Sequence, residues 1–221
     1  MVGVGIDGAR GSWVRITYDS ISLCLTISEK LEDLLIEGAV HFVDMPKDLA
    51  TIDAPDRSCD AWMRSQLKQR KSSIFTPPIQ DVLMEASYAE ANAKSRELVG
   101  KGISKQAWNL VPRIREFQTI TDADVYESHP EVCFAVMTGN EASFSKKTEA
   151  GELERIELLR RYSNSSPWKW KMSNVQVDDI IDACILAVAA YEAGTTGMVT
   201  HPDQTEGAPF VAVPKTKEAG T

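Results

Sequence analysis

Apolar and small residues alternate strictly at the start of the chain, where the apolar residues at positions 2, 4 and 6 are separated by Gly3 and Gly5. Such alternation favours a β-strand, and a strand face made of glycine lets another backbone or a ligand come close. Two further segments rich in β-favouring residues follow, at 13–18 and 21–27, around a turn at Asp19. The pattern therefore predicts an antiparallel meander of three strands.

Helical periodicity and breaker residues predict the remaining elements. Ser28 to Glu37 is predicted as a helix, and Leu49 to Ile52 as a fourth strand. A strand, helix, strand order would place this fourth strand parallel to the first, through a right-handed crossover. The other predicted helices span about 58–71, 87–99, 104–120, 130–137, 149–162 and 173–178 to 194, and a short fifth strand ends near Glu127.

This order of elements predicts one α/β domain over residues 1–194 and a C-terminal tail over 195–221. Residues 56–122 contain three of the predicted helices and are interpreted as a helical insertion packed over one edge of the sheet. Within the tail, the segment 210–213 could add an edge strand.

Composition limits the classes of protein to which the chain can belong. Its 221 residues and 43% hydrophobic content suffice for a substantial core, and no run approaches the roughly twenty apolar residues of a membrane helix. The net charge of −8 argues against unspecific adhesion to nucleic acid, so a polyanion would need a local basic patch or bound metal ions. Four widely spaced cysteines and the absence of signal-peptide features predict a cytoplasmic protein with reduced thiols.

Three acidic residues stand where predicted strands end. Asp7 follows Ile6 and precedes Gly8, Asp53 repeats that arrangement, and Glu127 closes the fifth strand. An isolated Asp-Gly pair is more often a turn than a ligand site. However, the ends of adjacent parallel strands lie side by side, and buried carboxylates need a cationic partner. The repetition therefore favours a shared site.

The last predicted helix supplies further acids. Asp179 and Asp182 are three residues apart and lie on neighbouring turns of one face, which continues into Ile185 and Leu186. The positive end of the helix dipole explains an acid in the first turn, such as Asp178. It explains less well the position of Asp182 in an otherwise apolar stripe.

Carboxylates from distant segments suit hard cations such as Mg²⁺ or Mn²⁺, which also bind phosphate oxygens. Two such ions about 3.5 to 4 Å apart can activate a water and stabilise the leaving oxygen in phosphodiester cleavage. His129 has no second His or Cys at ligand spacing, which favours a structural role. Four basic residues are candidates for contacts with substrate phosphates: Arg64, Arg70, Lys71 and Lys105. The alternative is that they form solvated helix faces.

Five motifs occur in an order that resembles a known family. They are Gly5-Ile-Asp7-Gly, Ile52-Asp53-Ala-Pro55, and the segments from Arg70 to Pro78, from Glu127 to Glu131 and from Asp179 to Ala183. Together they resemble a family of uncharacterised proteins regarded as ribonuclease H-like nucleases. The resemblance covers nearly all of the chain from Val2 to Ala193.

The resemblance implies the ribonuclease H-like fold, in which a mixed five-stranded sheet has three antiparallel strands first and helices on both faces. In that superfamily, and most closely in the Holliday-junction resolvases, acids lie at the end of the first strand, on the fourth strand and as a pair on the last helix. Asp7, Asp53, Asp179 and Asp182 match those places, and Glu127 matches only the uncharacterised family. The acidic net charge and an Asp instead of Glu at position 53 depart from typical resolvases.

The sequence thus predicts a nuclease dependent on Mg²⁺ or Mn²⁺, with Asp7, Asp53, Asp179 and Asp182 as catalytic metal ligands. Glu127 is predicted as a further catalytic residue, which binds metal or positions water. DNA, RNA and branched nucleic acids stay open as substrates, as does a dimeric state.

Two alternatives to this nuclease stay open. One is a non-catalytic ribonuclease H-like scaffold that binds metal, nucleotide or a protein partner. The other is phosphoryl transfer from a nucleotide, as in the sugar-kinase and actin relatives of the fold. Those relatives need two facing domains, for which 221 residues are few.

Overall fold

A computed structural model describes residues 1–121, 124–170, 173–203 and 208–215. Its strands are β1 (Gly3–Ala9), β2 (Ser12–Tyr18), β3 (Leu23–Ser28), β4 (Val40–Val43), β5 (Val125–Glu127), β6 (Met198–His201) and β7 (Val211–Pro214). Its α-helices are α1 (Ser58–Gln66), α2 (Tyr88–Val99), α3 (Lys105–Gln118), α4 (Pro130–Thr138), α5 (Glu149–Leu159) and α6 (Val177–Thr196). The described residues therefore form the α/β fold that the pattern predicts.

The first five strands form one mixed sheet in the order β3-β2-β1-β4-β5. β1, β2 and β3 pair antiparallel, which confirms the predicted meander. β4 and β5 run parallel to β1, with Gly5 opposite Phe42 and Ile6 opposite Val43. The carboxyl ends of β1, β4 and β5 therefore meet at one edge of the sheet.

The two faces of β1 differ because its residues alternate. Val4 and Ile6 are completely buried in a cluster with residues of α3. Gly3 and Gly5 face α6, so closely that a Cβ atom built on Gly5 would lie 2.0 Å from the carbonyl oxygen of Ala183. Helices thus pack on both faces of the sheet, and the predicted close approach on the glycine face is the contact with α6.

The fourth strand is not where the sequence predicted it. The segment 49–52 has no strand, because its backbone turns back on itself: Thr51 N–H donates to the carbonyl of Ala54 at 3.1 Å. The strand beside β1 is Val40–Val43 instead. Its alternation is obscured by His41, which is buried and hydrogen-bonded to the backbone N–H of Ile36 at 3.0 Å.

The predicted helix over 28–37 is also wrong, since only a 3₁₀ turn at Glu32–Leu34 forms. This segment must connect the edge strand β3 to β4, which lies three strands away. Three strand spacings amount to about 14 Å, and the connection must also return along the strands, because β3 ends near Gly8 and β4 begins beside Gly3. A ten-residue helix rises only about 15 Å in all. The path from β3 to β4 is longer than this helical rise, so most of the connecting segment must be extended.

The remaining helices agree with the predicted ones except at their ends. α1 stops at Gln66, five residues before the predicted end, and α6 continues past Gly194 to Thr196. The tail strand β7 exists, but it pairs with β6 in a separate two-stranded sheet instead of extending the main sheet. Within the described ranges, no helix is both long and apolar enough to cross a membrane.

The packing of α6 on β1 makes a first prediction. Gly5→Ala should lower the free energy of unfolding by about 3 kcal/mol or more, because backbone atoms of a helix and a strand would have to separate. Gly8→Ala is the matched control, since the atoms nearest its Cβ, from 3.3 Å, belong to the side chain of Arg113 and not to the backbone. Urea unfolding of both variants tests this, and equal stabilities would contradict it.

Candidate metal centre

Two aspartates lie side by side at the carboxyl edge of the sheet. Asp7 lies near the C-terminal end of β1, and Asp44 directly follows β4. The N–H of Asp44 donates to the carbonyl of Ile6 at 2.9 Å, which extends the parallel pairing by one step. Side chains of a strand alternate between its faces, so Asp7 shares the face of Gly5 and Asp44 the face of Phe42. Both carboxylates therefore point towards α6.

α6 supplies the third carboxylate. Asp182 immediately precedes Ala183, whose carbonyl faces Gly5, so the close packing of helix and strand brings Asp182 to the same edge. Its side chain is only 2% exposed. Asp7, Asp44 and Asp182 each offer a carboxylate oxygen, and these oxygens lie within 4.8 Å of one another. We call these three residues the acid triad.

Burial and mutual repulsion change the ionisation of the acid triad. Burial is the largest cause that raises the pKa of Asp7 well above its usual value, and the charges of Asp44 and Asp182 raise it further. Burial likewise raises the pKa of Asp44 to about 6 and that of Asp182 to about 6, although the ammonium of Lys146 opposes both shifts. A cation at this position would therefore stabilise the ionised carboxylates and with them the folded protein.

Lys146 is the cation that the structure places there. It lies between α4 and α5, and its Nζ donates a hydrogen bond to Oδ2 of Asp182. Burial alone would lower the pKa of this ammonium, but Asp182, Asp44 and Asp7 together raise it well above its usual value. Nothing in the sequence near Lys146 indicated this role, because the loop that contains it is polar and lacks periodicity.

Three polar side-chain atoms near the acid triad are buried and have no hydrogen-bond partner among the described residues: Oδ1 of Asp182, Oε2 of Glu131 and Nδ1 of His129. Glu131 is held through its other oxygen by Arg155, at 2.5 Å, and its charge raises the pKa of both Asp44 and Asp182. An unpaired buried carboxylate oxygen is costly unless a cation or a donor satisfies it.

The donor set fits a hard divalent cation. All three residues of the acid triad offer carboxylate oxygens, which Mg²⁺ and Mn²⁺ prefer. Among the described residues, Oδ1 of Asp182 has no hydrogen-bond partner. Lys146 at 34% side-chain exposure leaves a route to solvent.

Of the predicted ligands, the structure brings together Asp7 and Asp182 but not Asp53. Asp53 lies on an exposed bend outside the sheet, because the strand that was to position it does not form. Asp44 occupies the strand-end position instead. Asp179 accepts a hydrogen bond from the N–H of Gln176 at 2.9 Å and caps α6, while its charge still raises the pKa of Asp7.

Glu127 has a different partner from the one expected. Its carboxylate accepts hydrogen bonds from Arg57 at 2.5 and 2.7 Å and from the N–H of Lys47 at 2.9 Å. Arg57 also pairs with Asp60 at 2.8 Å, and all three side chains are at most 5% exposed. Cys59, Asp60 and Glu127 form a second group with metal-ligand spacing, but this guanidinium already satisfies its acids. The arrangement assigns Glu127 a structural ion pair.

The predicted phosphate contacts are dispersed. Arg64 donates to the carbonyl of Ile74 at 3.0 Å, and Arg70 donates to that of Ala142 at 3.1 Å, so both side chains hold loops. Lys71 and Lys105 are exposed. Their contact with a substrate stays a prediction.

Sequence reasoning missed Asp44 although a signal was present. Val43-Asp44 repeats the apolar-to-acid step of Ile6-Asp7, but His41 masked the strand before it. Arg113 was also missed as a neighbour of Asp7: its guanidinium bonds the carbonyls of Ala9 and Ser12 and lies 4.5 Å from the ring centre of Trp13. It closes the turn after β1.

The raised pKa of Asp44 makes a second prediction. An acid whose pKa is higher in the folded state destabilises that state when it is ionised, and the penalty vanishes as pH falls to its ordinary value of 3.8. Asp44→Asn should therefore stabilise the metal-free protein by about 2 kcal/mol at pH 8. Urea unfolding with EDTA at pH 8 and pH 4 measures this, and a gain that persists undiminished at pH 4 would contradict it.

A family comparison covers the whole of this site. The model for a protein of unknown function (DUF429) matches residues 5–207, a span that contains the acid triad and Lys146. No curated protein and no solved structure matches the chain. Because the match covers most of the 221 residues, the chain belongs to the DUF429 family of proteins of unknown function.

Proposed function

We propose that this protein is a nuclease that hydrolyses phosphodiester bonds of nucleic acid with Mg²⁺ or Mn²⁺ held by Asp7, Asp44 and Asp182. The observation that supports it most directly is the acid triad itself, whose oxygens lie within 4.8 Å of one another although β1, β4 and α6 are far apart in sequence. Oδ1 of Asp182, which is buried and has no hydrogen-bond partner among the described residues, also supports a cation at this position.

The fold supports the same proposal. Three antiparallel strands, two parallel strands and a final helix with an acid facing the sheet resemble the ribonuclease H-like arrangement. Asp44, which directly follows β4, takes the strand-end position for which Asp53 was predicted. Fold alone does not decide function, and the acids provide the chemistry that hydrolysis needs.

In this proposal the three residues of the acid triad would hold the ion, and the fold keeps each of them in place. A bound Mg²⁺ or Mn²⁺ supplies Lewis acidity towards a phosphate oxygen and lowers the pKa of a coordinated water. Asp7 is oriented by the N–H of Gly8, which donates to its Oδ1 at 2.6 Å. Asp182 is held rigidly on a buried helix, and Asp44 is fixed by the pairing of β4 with β1. Rigid elements of this kind preserve the geometry that hydrolysis needs.

The same centre is compatible with the two alternatives. A scaffold would bind the cation without turnover, and phosphoryl transfer would consume a nucleotide without cleaving a polymer.

A third prediction contrasts Asp44 with Asp53. Wild-type protein with Mn²⁺ should cleave at least one member of a labelled panel of single-stranded and duplex DNA, RNA, hybrid and four-way junction. Asp44→Asn should lower that rate by about 100-fold or more, because a metal ligand contributes at least as much as the groups that orient it. Asp53→Asn is the matched control and should keep the wild-type rate, since Asp53 is exposed and outside the site.

Calorimetry with Mn²⁺ separates the remaining outcomes. Binding lost in Asp44→Asn together with absence of any cleavage would support the scaffold, and nucleotide hydrolysis alone would support phosphoryl transfer. Cleavage that depends on Asp53 and not on Asp44 would contradict the proposed centre.

A further inference from the structure

Lys146 and a divalent cation require the same oxygens. In the structure the Lys146 ammonium bonds Oδ2 of Asp182, and its charge acts on Asp44 and Asp7 as well. It thus neutralises part of the charge of the acid triad. A divalent ion held by the same three residues would lie beside this ammonium and repel it. The Lys146 ammonium and a divalent ion therefore cannot both bind the acid triad unless one of them moves.

The lysine side chain is the part that can move. Asp182 is 2% exposed and lies on the central helix, whereas the Lys146 side chain is 34% exposed. A lysine side chain has a flexible stem of four carbons, so its ammonium can move away from Asp182 while the backbone of the loop stays in place.

The loop itself is fixed, so the movement is confined to that side chain. The N–H groups of Ser143 and Phe144 donate to Glu154 at 2.8 and 3.0 Å, and the hydroxyl of Thr148 accepts from Gly151 N–H at 3.2 Å. Of the Lys146–Asp182 pair, Lys146 is the member that solvent reaches, at 34% side-chain exposure against 2%, so a phosphate group can contact it from solution.

We propose that Lys146 is the resident cation of the acid triad in the metal-free protein, and that it transfers to a phosphate group of the substrate when a divalent ion binds. This inference rests on the proposed function, because it assumes that the acid triad holds the ion. It adds a substrate-binding residue and a competitor for metal. Metal affinity is therefore weakened by the protein's own lysine, and phosphate binding is strengthened by metal.

Calorimetric titration with Mn²⁺ at pH 7.5 tests the first half of the inference. Lys146→Met should bind Mn²⁺ about tenfold or more tightly than wild type, because its competitor is gone. Lys147→Met removes an equal charge from the exposed neighbouring residue and should bind as wild type does. Lys146→Arg keeps a cation in place and should bind more weakly than Lys146→Met. Circular dichroism confirms that each variant is folded.

Titration with inorganic phosphate in saturating Mg²⁺ tests the second half. Wild type and Lys147→Met should bind phosphate, whereas Lys146→Met should lose most of that affinity. Equal phosphate binding by all three, or none by wild type, would overturn the transfer of Lys146 to phosphate.

The results also separate this inference from the proposed function. If wild type binds Mn²⁺ and Asp7→Asn does not, the metal centre stands. Unchanged or weaker Mn²⁺ binding by Lys146→Met would then overturn the role of Lys146 alone. Failure of wild type and of Lys146→Met to bind Mn²⁺ would overturn both.

Discussion

The whole arrangement depends on the close packing of α6 against the glycine face of β1. A helix can approach a strand this closely only where side chains are absent, and Gly3 and Gly5 provide that space. The consequence is functional as well as structural. Because the backbone at Ala183 nearly touches β1, the preceding Asp182 comes to the edge where Asp7 and Asp44 end their strands. The helix thus joins three separate segments into one site.

The acid triad lowers the stability of the folded protein when its carboxylates are ionised. Three carboxylates share a buried edge, and burial raises the pKa of each of them, and neighbouring acids, including Glu131, raise it further. Apolar side chains here would avoid this cost, so the buried acids are consistent with the proposed metal centre. The contrast with Glu127 supports this view. There the buried acid has Arg57 as a fixed partner, whereas Oδ1 of Asp182 has none among the described residues.

The sequence predicted the meander, five of the six α-helices that the described ranges contain within a few residues, and two of the three acids of the triad. These elements were accessible because period-2 and helical patterns are local properties of the chain. α1 was predicted five residues too long. The misplaced fourth strand came from tertiary effects: the polar His41 is buried in β4, where the backbone satisfies its ring, while the apolar Leu49 and Ala50 pack under a turn. Lys146 could not be predicted, since only the folded chain brings it to Asp182.

The most direct test of the account is the position of manganese in a crystal of the wild-type protein grown with Mn²⁺, located by its anomalous scattering. The account predicts a peak bonded to carboxylate oxygens of Asp7, Asp44 and Asp182, at about 2.0 to 2.3 Å. A peak at Asp53 or at the Cys59, Asp60 and Glu127 group, or no peak at the acid triad at saturating Mn²⁺, would contradict it.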